Sequence, residues 1–352
     1  MTKQRLHHFD VIKGIAILLV VMGHVMILGI HNIDKAFIFK LLDKIHMPLF
    51  FFISGYFSYK VKDDKIILPN LFSRFKQLII PFLCVSALWL YYFPHSGIES
   101  PFNATWVGLY TDPYKLGYWF TLCLFEILVV YCFVAFISKF IRKIWIQVVI
   151  LLAIYSLFVV ISIYGDYLIV NILGLEFVRE FLPIFFIGVF AGKYKDEFNK
   201  ITQNQFAITT SIIVGSLLVY FNCYFWEFNL EPRIELISRI FSKIILHISV
   251  IIIAFAVIKS WSEKEFAKEN PSKAIQALQF FGKESLSIYL LHYFFLFPMS
   301  VLRQPMIDMG LGFVPLLVVS LITSLAVICV ALGASSIISK SKFLSTMLLG
   351  KN

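Results

Sequence analysis

Apolar runs long enough to cross a hydrocarbon core of roughly 30 Å follow one another along almost the whole chain, which settles the fold class before any motif is consulted. Inside hydrocarbon the backbone has no water to bond, so each crossing closes its own hydrogen bonds as a helix. The runs fall at residues 12–30, 45–58, 75–93, 117–137, 144–164, 180–192, 206–222, 240–258, 285–301 and 314–338. They describe an all-α polytopic integral membrane protein of about ten transmembrane helices. Residues 1–352 are expected to form a single membrane-embedded domain with no appended soluble domain. Composition excludes an ordinary globular chain, since 59% of the residues are hydrophobic and only 15% charged.

The formal net charge of +10 raises the question of a nucleic-acid partner. The basic residues are scattered singly between apolar runs rather than gathered on one face or in a tail, so membrane topology accounts for them and no nucleic acid is expected. Lysines and arginines concentrate in alternate connecting segments, those on the N-terminal side, which places both termini in the cytoplasm. The first apolar run has no small-residue cleavage site behind it and carries Lys13 and His24, so it is expected to be retained as a span.

Two segments, HMPLFFFISGYF (46–57) and FLPIFFIGVFAGKY (181–194), are short for lipid-facing spans and carry a proline near the start. Such helices suit a position among other helices, where neighbours satisfy the freed backbone groups. The longest polar stretch, residues 259–285, is expected to be a cytoplasmic loop with an amphipathic helix after Pro271. The five cysteines have neither metal-type spacing nor a secreted disulfide pattern and read as packing residues.

Ionisable groups inside apolar helices are expensive and mark either a partner or a reaction. His24 lies eleven residues past Lys13, about 16 Å along a helix. Glu126 lies nine residues past Gly117 on a span running the other way, and His292 nine residues past Lys283, each about 13 Å deep. The three groups can share one depth and have the parts of a general base, an orienting carboxylate and a second imidazole. Asp10 cannot orient His24 within one straight helix, because fourteen residues separate them by about 21 Å. A hydrogen bond between helices is the competing reading of each intramembrane group.

His46 at the outer end of its short span has two readings, a helix cap or a substrate contact. His7, His8, His31 and His95 are expected to be solvated, and His247 to be a core histidine. No spacing argues for a metal, and none is expected. There is no nucleophile elbow, Walker loop or dinucleotide fingerprint. Arg74 and Lys76 on the cytoplasmic side, with Lys13 at the foot of the first helix, can grip phosphates, although the positive-inside rule alone also explains them.

The fragments FDVIKGIAILLVVMGH (9–24), HMPLFFFISGYF (46–57), SRFKQLIIPFL (73–83), YWFTLCLFE (118–126), FLPIFFIGVFAGKY (181–194) and FGKESLSIYLLH (281–292), in that order, resemble the membrane-bound acyltransferase family 3. That family moves acyl groups from acyl-CoA to glycans and other hydroxylated acceptors. Its first-helix signature, a basic residue, ten residues and a histidine, is filled here by Lys13 and His24, with lysine where the family usually has arginine. Its paired cytoplasmic arginines reduce here to Arg74, with Gln77 in the second place and Lys76 beside it.

The resemblance implies that His24 is the catalytic base, with Glu126 stabilising the imidazolium, and that Lys13, Arg74 and Lys76 contact acyl-CoA, in the first place acetyl-CoA. The acceptor is expected to be a hydroxyl of a bacterial cell-surface or lipid-linked glycan, with His46, Ser54, Trp119 and His292 as the candidates to hold it, although a helix–helix hydrogen bond is the simpler reading of Ser54 and His292. Tyr118 and Phe120 join Trp119 as a sugar-stacking wall unless these aromatics anchor the interface. The expected location is the bacterial cytoplasmic membrane, with a homo-oligomer or a separate partner protein as further expectations. The rival class is a proton-coupled transporter or polysaccharide exporter, which also places ionisable residues in its spans but moves its substrate without acylating it.

Overall fold

The computed structural model describes residues 7–30, 37–59, 67–97, 105–138, 140–141, 143–224, 232–308 and 313–351. His31 lies outside them. The secondary structure of these residues is helical, as the apolar runs require. Seven helices among them are long and apolar enough to cross a membrane: His7–Gly29, Asn70–His95, Trp119–Ser138, Trp145–Tyr164, Gln205–Cys223, Ile234–Phe266 and Val314–Ile338. Of the other three expected runs, 45–58 lies in Phe37–Ser58 and 180–192 in Leu175–Lys193, whereas 285–301 is helical over Ser285–Leu291 and irregular at 296–299. The first two carry charged residues along part of their length, and the third gives way to a tighter 3₁₀ turn at His292–Phe295.

The chain forms two compact units, Met1–Tyr59 with Ile184–Leu332, and Lys60–Pro183 with Gly333–Asn352. In the first unit the His7–His24 helix packs on Phe37–Ser58 and on Lys273–Lys283. The second contact is backbone to backbone. A Cβ built on Gly14 would stand 1.8 Å from the Leu278 carbonyl oxygen, and one on Gly282 would stand 1.7 Å from that of Asp10. Lipid tails are as apolar as side chains, so helices associate in a membrane through such close approaches at small residues. The two proline-bearing segments use the same device: a Cβ on Gly55 would lie 1.9 Å from the Phe185 carbonyl oxygen, and one on Gly188 would lie 2.1 Å from that of Phe52. Beside them Phe9, Phe52, Phe198 and Phe255 meet edge-on or tilted, at centroid separations of 5.2–5.3 Å.

The polar stretch 259–285 contains the expected amphipathic helix after Pro271 and is helical before it as well. The Pro232–Ala254 helix continues through a wider π turn, Phe255–Lys259, into Ser260–Phe266. Ser272 then caps Lys273–Lys283, whose apolar residues Ile275 and Phe281 are buried. The amphipathic pattern after Pro271 is therefore real, but its apolar face packs on protein. His8 also departs from a solvated position, being buried against Phe9 and Phe255. His7 is engaged by Gln279, His95 is exposed, and His247 is buried as expected.

In the second unit Ile67–Tyr92 packs on Trp119–Ser138 and on Lys342–Leu349. Ile144–Tyr164 exposes Trp145, Leu152, Leu157 and Val160, an apolar surface suited to lipid. Between the spans lies Lys115, only 2% exposed. Its Nζ donates to the carbonyls of Tyr110 at 2.6 Å and Asn171 at 2.7 Å and so ties two connecting segments together. Burial pushes its ammonium down to about 8 from 10.5, while Asp112 and Glu126 pull it the other way.

Two outcomes follow from these contacts. Gly282→Val forces a side chain into the Asp10 carbonyl and is expected to cost about 3 kcal/mol or more, seen as a lower melting temperature or loss of folded protein in detergent. Gly333→Ala, where a Cβ would meet nothing within 4 Å, leaves the melting temperature unchanged. Between pH 8 and 10.5 the folded chain binds fewer protons at Lys115 than the unfolded chain, so this site's contribution to stability rises with pH. The melting temperature of the wild type relative to Lys115→Met therefore increases across that window.

Candidate active site

His24 closes the first α-helix, and the next five residues, Val25–Gly29, form a π turn with a bond from Ile30 N–H to the Val25 carbonyl at 2.9 Å. His292 stands where Ser285–Leu291 tightens into 3₁₀ geometry. Both imidazoles thus sit at a change of helical pitch, a feature that recurs at functional sites. Met299 N–H donates to the Gly29 carbonyl at 2.7 Å, fastening the segment after His292 to the end of the first helix.

The two imidazoles are directly bonded. His24 Nδ1 lies 2.9 Å from His292 Nε2, and the rings are stacked at 4.9 Å with 25° between their planes. His24 Nε2 lies 2.8 Å from the Tyr293 hydroxyl. His292 and Tyr293 are fully buried.

Chemistry assigns the protons. His292 Nδ1 faces two backbone carbonyls, Tyr289 at 2.8 Å and Ile288 at 3.1 Å, which only accept, so this nitrogen carries the hydrogen. In a neutral ring its Nε2 is then an acceptor, and His24 Nδ1 must donate to it. His24 Nε2 is left with its lone pair and accepts from Tyr293. The chain runs Tyr293 O–H to His24, His24 Nδ1–H to His292, and His292 Nδ1–H to the Tyr289 carbonyl. The lone pair of His24 Nε2 is therefore held toward the Tyr293 hydroxyl.

The other expected site residues fall as follows. Both ring nitrogens of His24 are occupied by His292 and Tyr293, so the orienting part given to Glu126 in the sequence is filled here by His292. Glu126 belongs to the second unit, where its Oε2 is buried without a hydrogen-bond partner among the described residues. His46 does not cap a helix, because its helix begins nine residues earlier at Phe37; its Nδ1 donates to the Leu42 carbonyl at 2.6 Å. Ser54 lies half-buried on the same helix. Lys13 is paired with Asp10 at 2.9 Å. Arg74 is exposed and donates to Gln77 at 2.6 Å, while Lys76 lies over the Phe72 ring at 4.6 Å. Trp119 stacks on Phe177 at 4.0 Å, and Tyr118 and Phe120 are buried. Tyr293 was not singled out in the sequence; its position next to His292 was the available signal.

A family model described as an acyltransferase domain, of the acyltransferase 3 group, matches residues 6–333. The chain belongs to this family. Among curated proteins it is similar to nodulation protein NolL of Sinorhizobium fredii (strain NBRC 101917 / NGR234), 40% identical over 84 residues, 23% of each chain. It is also similar to NolL of Mesorhizobium japonicum (strain LMG 29417 / CECT 9101 / MAFF 303099), 38% identical over 86 residues, again 23% of each. These matches span under a quarter of either relative. No solved structure matches the chain.

The proton assignment has a spectroscopic consequence. Nitrogen-15 spectra of histidine-labelled protein are expected to show the imidazoles of His24 and His292, like that of His46, protonated at Nδ1 and bare at Nε2. His24→Gln removes one such signal and His292→Gln another while disturbing its partner; loss of an Nε2-protonated ring in either variant would contradict the assignment.

Proposed function

We propose that this protein transfers an acyl group, in the first place acetyl, from cytoplasmic acyl-CoA to a hydroxyl of a bacterial cell-surface or lipid-linked glycan, with His24 as general base. The single observation that carries the reading is the directed chain from Tyr293 through His24 to His292 in a member of an acyltransferase family. Both chain termini face the cytoplasm of a bacterial inner membrane in this reading, consistent with the distribution of basic residues.

The acceptor hydroxyl displaces the Tyr293 hydroxyl at His24 Nε2 and gives up its proton there as its oxygen attacks the thioester carbonyl. The displaced Tyr293 hydroxyl donates to the oxyanion of the tetrahedral intermediate. Collapse of the intermediate breaks the carbon–sulfur bond, leaves the ester on the acceptor and returns the proton from His24 to the departing CoA sulfur. His292 acts through His24: its acceptor nitrogen holds the His24 Nδ1–H and stabilises the imidazolium while it lasts. Arg74 and Lys76 bind the donor's phosphates, and Lys13, paired with Asp10, has a lesser part. Ser54 is assigned to the acceptor side, with Glu126, His46 and Trp119 as supporting groups.

Membranes holding wild-type or variant protein in matched folded amounts, given labelled acetyl-CoA and host glycan, test the reading through the acetyl ester formed. His24→Ala is expected to lower the rate by about 10²–10⁴-fold. His292→Phe lowers kcat with little change in the KM for acetyl-CoA. Equal transfer by wild type and His24→Ala removes His24 from the chemistry, and glycan movement without ester formation establishes the exporter instead.

A further inference from the structure

Two features of the second unit meet at one backbone carbonyl. Ile67–Tyr92 contains Pro81, which has no N–H, so the carbonyl four residues earlier, that of Gln77, is left without its α-helical donor. Lys342–Leu349 packs on the same helix and ends at Gly350, whose left-handed conformation, φ 63° and ψ 23°, suits glycine. A Cβ built on Gly350 would stand 2.2 Å from the Gln77 carbonyl oxygen and 3.1 Å from the Gln77 Cα. In glycine that direction carries only a hydrogen, so the Gly350 Cα–H faces the oxygen as a weak donor.

The Gly350 side of this contact is fixed by its own hydrogen bonds. Ser341 caps the helix by accepting from Leu344 N–H at 3.3 Å, and Lys351 N–H donates to the Ser345 carbonyl at 3.2 Å. The Thr346 hydroxyl donates to the Lys351 carbonyl at 2.9 Å, and Lys351 Nζ reaches Ser335 Oγ at 3.4 Å. Leu349 and Gly350 are buried.

On the other side, the Gln77 Oε1 accepts from Arg74 Nη1 at 2.6 Å, one helical turn back, while the guanidinium is exposed. An exposed arginine samples many rotamers, and holding it in one lowers the entropy lost when it grips an anion. A neutral amide suits that task, since it accepts from one N–H of the fork and leaves the charge and the remaining donors for a partner. We propose that Gly350 and Gln77 are positioning residues of the donor site. Lys342–Leu349 seats Gly350 on the Gln77 carbonyl, this contact fixes the turn that carries Gln77, and Gln77 aims Arg74 at the phosphates of acyl-CoA. The inference rests on the acyl-transfer reading, in which Arg74 binds those phosphates.

Full-length protein in detergent, in matched folded amounts, is titrated calorimetrically with CoA, and acetyl transfer from labelled acetyl-CoA is followed in membranes. Gly350→Ala drives a methyl into the carbonyl, and Gln77→Met keeps the side-chain length but removes the acceptor without adding bulk at the contact. Each is expected to weaken CoA binding and raise the KM for acetyl-CoA about tenfold with little change in kcat. Combined with Arg74→Gln, neither weakens binding further, because both act through the same guanidinium. Phe343→Ala, on the exposed face of the same helix, binds CoA as the wild type does. A lower melting temperature with unaltered CoA affinity, or losses that add to that of Arg74→Gln, reduces Gly350 to a packing residue and overturns the inference. CoA binding that is unchanged in Arg74→Gln, or absent in the wild type, removes the donor reading and this inference with it. Binding lost in Arg74→Gln but kept in Gly350→Ala and Gln77→Met removes the inference alone.

Discussion

The mutual approach of two backbones, Gly14 to the Leu278 carbonyl and Gly282 to that of Asp10, is the contact on which the site depends. It locks the first helix to Lys273–Lys283. From Gly14 to His24 and from Gly282 to His292 the chain advances by the same ten residues, about 15 Å if helical. Equal advance from a common contact brings both imidazoles to one depth. A β-carbon at either glycine would separate the backbones and lengthen a bond that is 2.9 Å here.

The backbone carbonyl at the end of the histidine chain decides its polarity. Because Tyr289 O only accepts, every proton upstream is placed, and the lone pair is delivered to the outer nitrogen of His24. A carboxylate in the same position would impose the same tautomer but leave a formal charge in the membrane interior, where it is expensive. Two neutral rings ending on a carbonyl orient the base without that charge. In the acyl-transfer reading the pair becomes charged only while a proton is in transit.

Much of this was legible from the apolar runs and from isolated polar residues within them. The expected spans are helical over most of their length, that at 285–301 breaking at 296–299, and His24 and His292 stood out because ionisable groups seldom occupy such runs. Their direct bond was not legible, since 268 residues separate them and depth fixes only one of the three coordinates of a meeting. Glu126 satisfied the same depth rule as His292, so the rule could not choose between them. In the stretch 259–285 the amphipathic helix after Pro271 was legible from its pattern, whereas the continuation of Pro232–Ala254 into Ser260–Phe266 was not, because its polar residues read as a connecting segment. Lys40, Lys44, Arg239 and Lys243 looked like scattered topology signals; only the packing of three helices gathers them.

Charge is handled differently along the first unit. Near the start of its first helix Lys13 is matched by Asp10, a short pair that limits what the lysine can give to another anion. Farther along the same helix His24 meets His292 as two neutral rings. In the acyl-transfer reading this division has a chemical reason: a base already protonated at rest could not take a proton from a hydroxyl, so attraction for any anionic part of a substrate has to come from groups other than the imidazole.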